Sequence, residues 1–371
     1  MTAPTSTTTD PADAATAPDL AWGSFTEQGP WTLDRDHIRW SHLPPALRRQ
    51  AHAEVPRLTG ARRLPPGTRV IGVVARLGAA VGPWMAKKRR GSFADAEASR
   101  ADISHRLRVA AEALGPTYIK LGQIISAGEG LFPPELVAEF KKCRDQVPAE
   151  PFDEVRLTVE QDLGARLEDV FSHFEETPVA AASIAQVHAA TLLTGEQVVV
   201  KVQRTTVASL VRKDLKVMAW LAPFLVGRIP VAALANPPAL VELFAETIVE
   251  ELDFRMEAAN MLDVAAMLHD LGQDQYVVPR PHPTLVTRRV LVMERVHGVN
   301  FDDVVGMKGA GIDTEDVVRT AMIAFMEGAI VEGIFHGDLH GGNLFVLNDG
   351  RTALLDYGIV GRLTGARRNA F

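Results

Sequence analysis

Apolar residues recur every three or four positions through most of the first 145 residues, the period of an amphipathic helix. The pattern is clearest in ADAEASRADISHRLRVAAEALG, PTYIKLGQIISAGEG and PPELVAEFKKCRDQ, between 94 and 145. Pro116 and Pro134 suit first-turn positions, where a missing N–H costs nothing. Upstream, 36–92 is punctuated by Pro and Arg and reads as helical in pieces. Residues 153–169 predict another short helix. The period then falls to two: SIAQVHAATLL and EQVVVKVQR flank Thr194-Gly195, a hairpin signal between β-branched runs. Helical spacing returns at 205–225 and over one long stretch, 238–271, containing EELDFRMEAANM. Short strands are predicted at 276–278 and 284–294, the second ending in VLVMERV. A helix follows at 314–333. Then come the loop HGDLHGGN (336–343), strand-like LFVL, a turn at Asn348-Asp349-Gly350, and LLDYG (354–358). There is no internal repeat. This order predicts an α+β class: a small sheet-bearing lobe, then a mainly helical lobe, with a cleft between.

Composition narrows the function. The chain of 371 residues is 47% hydrophobic and 23% charged, as in ordinary globular proteins. A net charge of −7 makes nucleic acid a poor partner. The single cysteine, Cys143, forms no internal disulfide and suits a cytoplasmic setting. The start, MTAPTSTTTDPADAATAPD, lacks the basic and apolar regions of a signal peptide and reads as a disordered tail. RVIGVVARLGAAVGPWMAKKRR (69–90) is interrupted by Arg76 and Pro83, and its apolar part falls short of the roughly 20 residues of a spanning helix. With Trp84 and the cluster Lys87-Lys88-Arg89-Arg90, it reads as an interfacial helix or as a packed helix with a solvated basic end.

Phosphoryl transfer needs positioned metal, a cation on the phosphates and a carboxylate near the attacking hydroxyl. Asp338 is the candidate catalytic carboxylate. Asn343 on the same loop and Asp356 after the next strand are candidate metal ligands, and magnesium prefers such oxygen donors. Lys201 ends the apolar run VVVK, where it can hold phosphate oxygens. Its expected ion-pair partner lies on the following helix. Asp253 and Glu257 are four apart and share a face there; Glu257 is the choice, and Glu251 lies on another face. The set points to Mg-ATP. Glu294 and Val296, after Met293, are candidate hinge residues whose backbone would bond adenine; the plainer reading is a core strand and a solvated turn. His336 reads as structural, His188 as a strand residue, and His340 as either a cleft contact or a bystander. No GxGxxG precedes Lys201. PVAAASIAQVH stands there instead, making Ala181, Ala182 and Ser183 candidate nucleotide contacts. Alanine resists the positive φ that glycine adopts, so such a loop would grip phosphates differently. The plain alternative is an Ala-rich connector.

Strand Lys, helix Glu, HxD loop with Asn and DxG, in that order, resemble protein kinases. Gly337 stands where most of those have Arg, and Tyr357 where they have Phe. HGDLHGGN also resembles the loop of aminoglycoside and choline phosphotransferases. KLGQ at 120–123 and the Ala-rich loop narrow this: the chain resembles the UbiB (aarF-domain) atypical kinases. PTYIKLGQ, AAASIAQVH, VVVKVQR, EELDFRMEAAN, FHGDLHGGN and LLDYG carry the likeness across 105–365.

The resemblance implies a two-lobed kinase-like fold, ATP and Mg²⁺ as cofactors, and atypical kinase or ATPase activity. It implies support of ubiquinone or menaquinone biosynthesis or lipid homeostasis, a lipid or quinone-precursor ligand, and association with the inner face of the cell membrane. It also places a KxGQ extension over the cleft, with Lys120 and Gln123 reaching inward as regulatory residues and the ExD motif mapping onto Glu251 and Asp253. The expected divisions are a disordered tail (1–35), a helical extension (36–150), an N-lobe (151–296) and a partial C-lobe (297–371). Because the chain stops soon after DYG, a piece of a longer protein is expected. Two other readings compete: a small-molecule phosphotransferase with an open acidic pocket, and a nucleotide-regulated lipid-binding scaffold. Protein partners stay unnamed.

Overall fold

The structure, a computed structural model, describes residues 25, 26, 31, 33, 37–143, 148–226, 236–337, 339, 341–363 and 365. Five helices come first: α1 (Pro44–Thr59), α2 (Arg69–Arg89), α3 (Ala96–Leu114), α4 (Pro116–Ala127) and α5 (Pro134–Phe140). Their starts follow local chemistry. Pro116 and Pro134 open α4 and α5, and the Asp95 side chain accepts the Ala98 N–H at 2.7 Å to cap α3. Trp84 of α2 is 2% exposed, and its ring N–H donates to the Ser99 carbonyl, so this end of α2 is packed. By length and composition alone, α2 is apolar enough to cross a membrane.

Helix α6 (Phe152–Leu163) stops at left-handed Gly164, short of the expected 169, and a 3₁₀ turn at Leu167–Asp169 completes that stretch. The strands β1 (Phe171–Phe174), β2 (Ala180–Ala181), β3 (Ala185–Leu192) and β4 (Gln197–Gln203) follow, the last two joined through Gly195 at φ 101°. With β6 (Pro281–Val286) and β7 (Val290–Glu294) they form a sheet of order β1-β3-β4-β7-β6, with β2 added on β3. Val198, Val200 and Val202 of β4 pack with Val155 and Val159 of α6. Alternation along the strand therefore turns Lys201 to the other face, towards the cleft.

Three further helices carry the polypeptide across and back: α7 (Val207–Leu225), α8 (Pro237–Glu251) and α9 (Phe254–Asp270). The single helix expected over 238–271 is thus two. Gln203 donates its side-chain amide to the Leu252 carbonyl at 3.1 Å, and the Phe254 N–H donates to the Arg288 carbonyl at 3.0 Å. These tertiary bonds satisfy the backbone that a continuous helix would have used. The strand expected at 284–294 is likewise a hairpin, turning at Thr287–Arg289 between β6 and β7.

β5 (Tyr276–Val277), β8 (Gly298–Asn300), β10 (Leu344–Leu347) and β11 (Thr352–Leu354) make a second sheet of order β5-β11-β10-β8. α10 (Val304–Gly309) and α11 (Thr314–Glu327) flank it in sequence, while β9 (Ile334–His336) and β12 (Val360–Arg362) pair as a two-stranded ribbon.

The tail boundary expected at 35 is corrected for the described residues before it. Phe25 is 2% exposed and bridges to Val278, Leu33 is buried, and the Trp31 ring N–H donates to the Pro281 carbonyl. Three apolar residues spaced 25, 31 and 33 show no helix or strand period, so only their tertiary partners reveal them.

Candidate active site

One cavity of about 110 Å³ collects most of the singled-out residues. Its floor is an ion pair. The Lys201 ammonium donates to Glu257 at 2.7 Å and lies 3.4 Å from Asp356. It also sits over the Phe254 ring, 5.6 Å from the centroid. β4 supplies the lysine, α9 the glutamate, and the loop after β11 the aspartate. Asn343 ends a 3₁₀ turn, Gly341–Asn343, and also borders the cavity. Its carbonyl accepts the Leu355 N–H at 3.0 Å, tying the two metal-ligand candidates' loops together. Asp356 accepts the Gly358 N–H at 2.9 Å.

Helix α4 forms the opposite wall. Lys120 pairs with Glu251, at the end of α8, at 3.1 Å, and Gln123 borders the same space. Ala182 and Ser183 close the cavity from the β2–β3 loop. That loop turns with the Ala182 N–H on the Ala185 carbonyl, and no described non-glycine residue has positive φ. Alanine thus builds a hairpin without the left-handed backbone a glycine-rich loop would use.

Other expected residues lie elsewhere. Asp253 does not face KLGQ or the cavity: it caps α9, accepting the Arg255 N–H, and pairs with the Arg255 guanidinium at 2.5 Å. An acidic side chain just before a helix meets its free N–H groups, and that local bond holds it outward from the cavity. Ala181 pairs with Gln186 in the sheet. Glu294 and Val296 do not border the cavity. The Glu294 N–H is taken by the Arg280 carbonyl and its carboxylate accepts from Thr26, while Val296 packs on Val277 and Leu347. Asp338 and His340 lie outside the described residues. His336 is buried with Nε2 against the Asp356 carbonyl, and His188 is buried in β3, bonded to the Glu175 carbonyl.

Residues 142–371 match the ABC1 atypical kinase-like domain. The chain belongs to that family. It is 42% identical over 252 residues to the uncharacterized protein Rv0647c of Mycobacterium tuberculosis, covering 67% of this chain and 51% of that one. It is 37% identical over 260 residues to an uncharacterized chloroplastic aarF domain-containing protein kinase of Arabidopsis thaliana, covering 70% and 48%. It is 34% identical over 288 residues to a probable protein kinase UbiB of Aeromonas salmonicida, covering 76% and 52%. The chain therefore spans about half the length of these relatives. They bear out the UbiB and aarF resemblance and the α+β kinase-like fold. KLGQ lies before the stretch matched by the family domain.

In this ABC1-family chain the cavity's formal charges do not balance. Lys120 and Lys201 face Glu251, Glu257 and Asp356, leaving one negative charge in excess among the described residues. Burial raises Glu257 to about 6, although Lys201 pulls it down. Burial likewise raises Glu251, against Lys120. Burial acts to raise Asp356 too, but Lys201 and Lys120 outweigh it and hold the group well below the usual carboxylate range. The Asp356 side chain keeps 45% of its surface accessible although protein surrounds it, because that surface faces the cavity. Lys201 loses stability as an ammonium through burial, yet Asp356 and Glu257 more than compensate and raise it.

Two contributors escaped sequence reasoning. Asn260 of α9 donates to the Tyr357 carbonyl at 2.9 Å and accepts from Arg48 and Arg362. Its signal was spacing, since it lies three residues after Glu257 on the same helix face. Arg204 anchors the Ala-rich loop by donating to the Ala182 and Pro148 carbonyls. Asn260→Ala is expected to cost about 1–3 kcal/mol, read as a lower urea midpoint with unchanged slope, because the carbonyl of buried Tyr357 loses its donor. Gly337 also has a physical reason: a Cβ there would meet the Ile359 side chain at 2.5 Å.

Proposed function

We propose that this cavity receives the phosphates of Mg-ATP and that the chain is an atypical kinase or ATPase of UbiB type, supporting isoprenoid-quinone biosynthesis or lipid homeostasis at the cytoplasmic face of the cell membrane. The observation that carries the reading is the convergence of Lys201, Glu257, Asp356 and Asn343 on one enclosed space. A carboxylate and an amide suit magnesium, and the excess negative charge favours a cation. Among the described residues no cluster of three or more His, Cys, Asp or Glu is placed to hold a metal, so phosphate and water oxygens would complete the shell. Bound magnesium would neutralise charge building on the transferred phosphoryl group. Lys201 would hold phosphate oxygens, and Glu257 would keep Lys201 aimed at them.

Ligand pockets usually measure roughly 300–1,000 Å³. The present cavity is smaller, so a nucleotide enters only when α4 or the Ala-rich loop gives way. The Lys120–Glu251 pair is then the latch. A helix across the cleft also disfavours the open acceptor pocket of a small-molecule phosphotransferase. The test is equilibrium ATP binding by the chain with magnesium and with a chelator. Micromolar binding that needs magnesium is expected; equal affinity under both conditions rejects the proposal.

A pH dependence follows. Glu257 lies above its ordinary 4.5 in the fold, so the native state takes its proton more readily than the unfolded chain does. Its contribution to stability is thus present below pH 4.5 and is lost as pH rises through about 6. The ion pair needs the carboxylate and runs the opposite way. ATP affinity is expected to fall below pH 6, and Glu257→Gln to flatten that limb. An identical limb in the variant would assign it to another group.

A further inference from the structure

Helix α1 lies outside the stretch matched by the family domain, yet it packs on α7, α8 and α9. Its buried face is the stripe Pro44, Ala51, Val55 and Leu58. Arg48 continues that stripe, four residues after Pro44 and three before Ala51. An arginine at such a position ordinarily bends its charged head out to water. Here its guanidinium instead donates to the side-chain oxygen of Asn260 on α9 at 3.2 Å and lies 3.8 Å from Asp263. The Arg48 side chain is only 29% exposed.

Asn260 is buried and joins both halves of the phosphate site. It follows Glu257, the partner of Lys201, by three residues on α9. Its amide nitrogen donates to the carbonyl of Tyr357, the residue after Asp356, at 2.9 Å. One side chain thus ties the helix that aims the lysine to the loop that carries the candidate metal ligand.

The amide oxygen decides how that tie is made. An asparagine amide can turn over and exchange donor for acceptor. Arg48 and Arg362 both donate to Oδ1, the second at 3.1 Å. Turned over, the amide would set N–H groups against two guanidiniums and its oxygen against the Tyr357 carbonyl. Charged donors on Oδ1 also polarise the amide and strengthen the N–H that Tyr357 accepts. Arg362 comes from β12, just beyond the DYG loop, whereas Arg48 brings the same control in from outside the matched domain.

The loop needs such a hold. Tyr357 is fully buried, with its ring edge-on to His336 at 5.7 Å between centroids. Its hydroxyl has no hydrogen-bond partner among the described residues, which is a costly arrangement. The ring therefore does not lock the loop by itself. The Tyr357 N–H lies 3.5 Å from Glu257, too far for a strong bond. The Asn260 bond is the shorter of these two ties.

We propose that Arg48 is a positioning residue for the magnesium-phosphate site: by fixing the Asn260 amide it sets Asp356 for the cation. This rests on the Mg-ATP reading above. The test uses Arg48→Met, which keeps the apolar stem and removes the donor, with circular dichroism verifying the fold. Amide hydrogen exchange of 355–358, without nucleotide, should quicken about tenfold while β4 keeps its wild-type rate. Magnesium-dependent ATP affinity should fall about fivefold, and magnesium-free affinity should stay at the wild-type value. Arg48→Lys, which keeps the charge and a donor, should lie between wild type and Arg48→Met. In an Asn260→Ala background, Arg48→Met should add no further effect on either readout.

A merely structural arginine would quicken exchange in β4 as well and weaken affinity equally with and without magnesium. That result overturns the proposal. Unchanged exchange at 355–358 overturns it too, as does quickened exchange with wild-type magnesium dependence. If the wild type binds no nucleotide, the Mg-ATP reading fails on its own, and the exchange rates still decide whether Arg48 holds the loop.

Discussion

Asp356→Asn is expected to remove the magnesium-dependent part of ATP affinity, raising Kd by about 100-fold or more. Among the cavity carboxylates, Asp356 alone is held low while facing open space; Glu251 and Glu257 are at most 6% exposed and each is paired with a lysine. It is therefore the group available to a cation. The substitution keeps the shape and leaves an oxygen for the Gly358 N–H, so the loop should stay in place. Because Lys201 and Lys120 stabilise the Asp356 carboxylate in the fold, the urea midpoint should fall, though without loss of a cooperative transition. Calorimetric titration with and without magnesium separates the outcomes. Wild-type affinity that still depends on magnesium would sink the assignment of Asp356 as a ligand. Lost affinity with a collapsed midpoint would show a folding defect instead.

Lys201→Met should produce the largest loss of stability. The side chain is 8% exposed, and its ammonium is shared between Glu257 and Asp356. Methionine fills similar volume but leaves Glu257 buried beside a second carboxylate. Removing one partner of a buried pair costs about 3–5 kcal/mol, mainly from the charge left behind. Glu257 limits that cost by taking a proton. Its pKa, already about 6, should rise further without the ammonium, so the deficit should be larger at pH 7.5 than at pH 5.5. Adding Glu257→Gln should recover much of the loss, a coupling that a double-mutant cycle in urea measures. A deficit under about 1 kcal/mol at pH 7.5 would mean that the pair is worth no more than a surface one.

Local rules made much of the fold readable. Pro116 and Pro134 marked two helix starts, Thr194-Gly195 marked the β3–β4 hairpin, and alternation in VVVKVQ put Lys201 opposite three core valines. Each depends on neighbours a few residues away. Breaks imposed from a distance were not readable. The period of 238–271 runs on through Leu252 and Asp253, but β4 and the β6–β7 turn take the backbone bonds there and split the helix.

The candidate site divides the same way. By itself the sequence determined which residue types are present and in what order: a lysine ending a buried strand, a glutamate on a later helix, HGDLHGGN, and DYG after a hairpin. These suffice for a kinase-like fold, and KLGQ with the Ala-rich loop narrows the likeness to the family. The Lys201–Glu257 pair was legible in that order, and the tertiary structure decided the remaining contacts. Lys120 and Glu251 meet across the cleft, Asp253 turns away to cap its own helix, and Glu294 is occupied by Thr26 and Arg280. It also decided that KLGQ borders the cavity, since helix spacing sorts Lys120 and Gln123 from Tyr118, Leu121 and Ile125 but cannot say what lies beyond either face. Periodicity encodes which side chains share a surface, and long-range packing chooses that surface's partner.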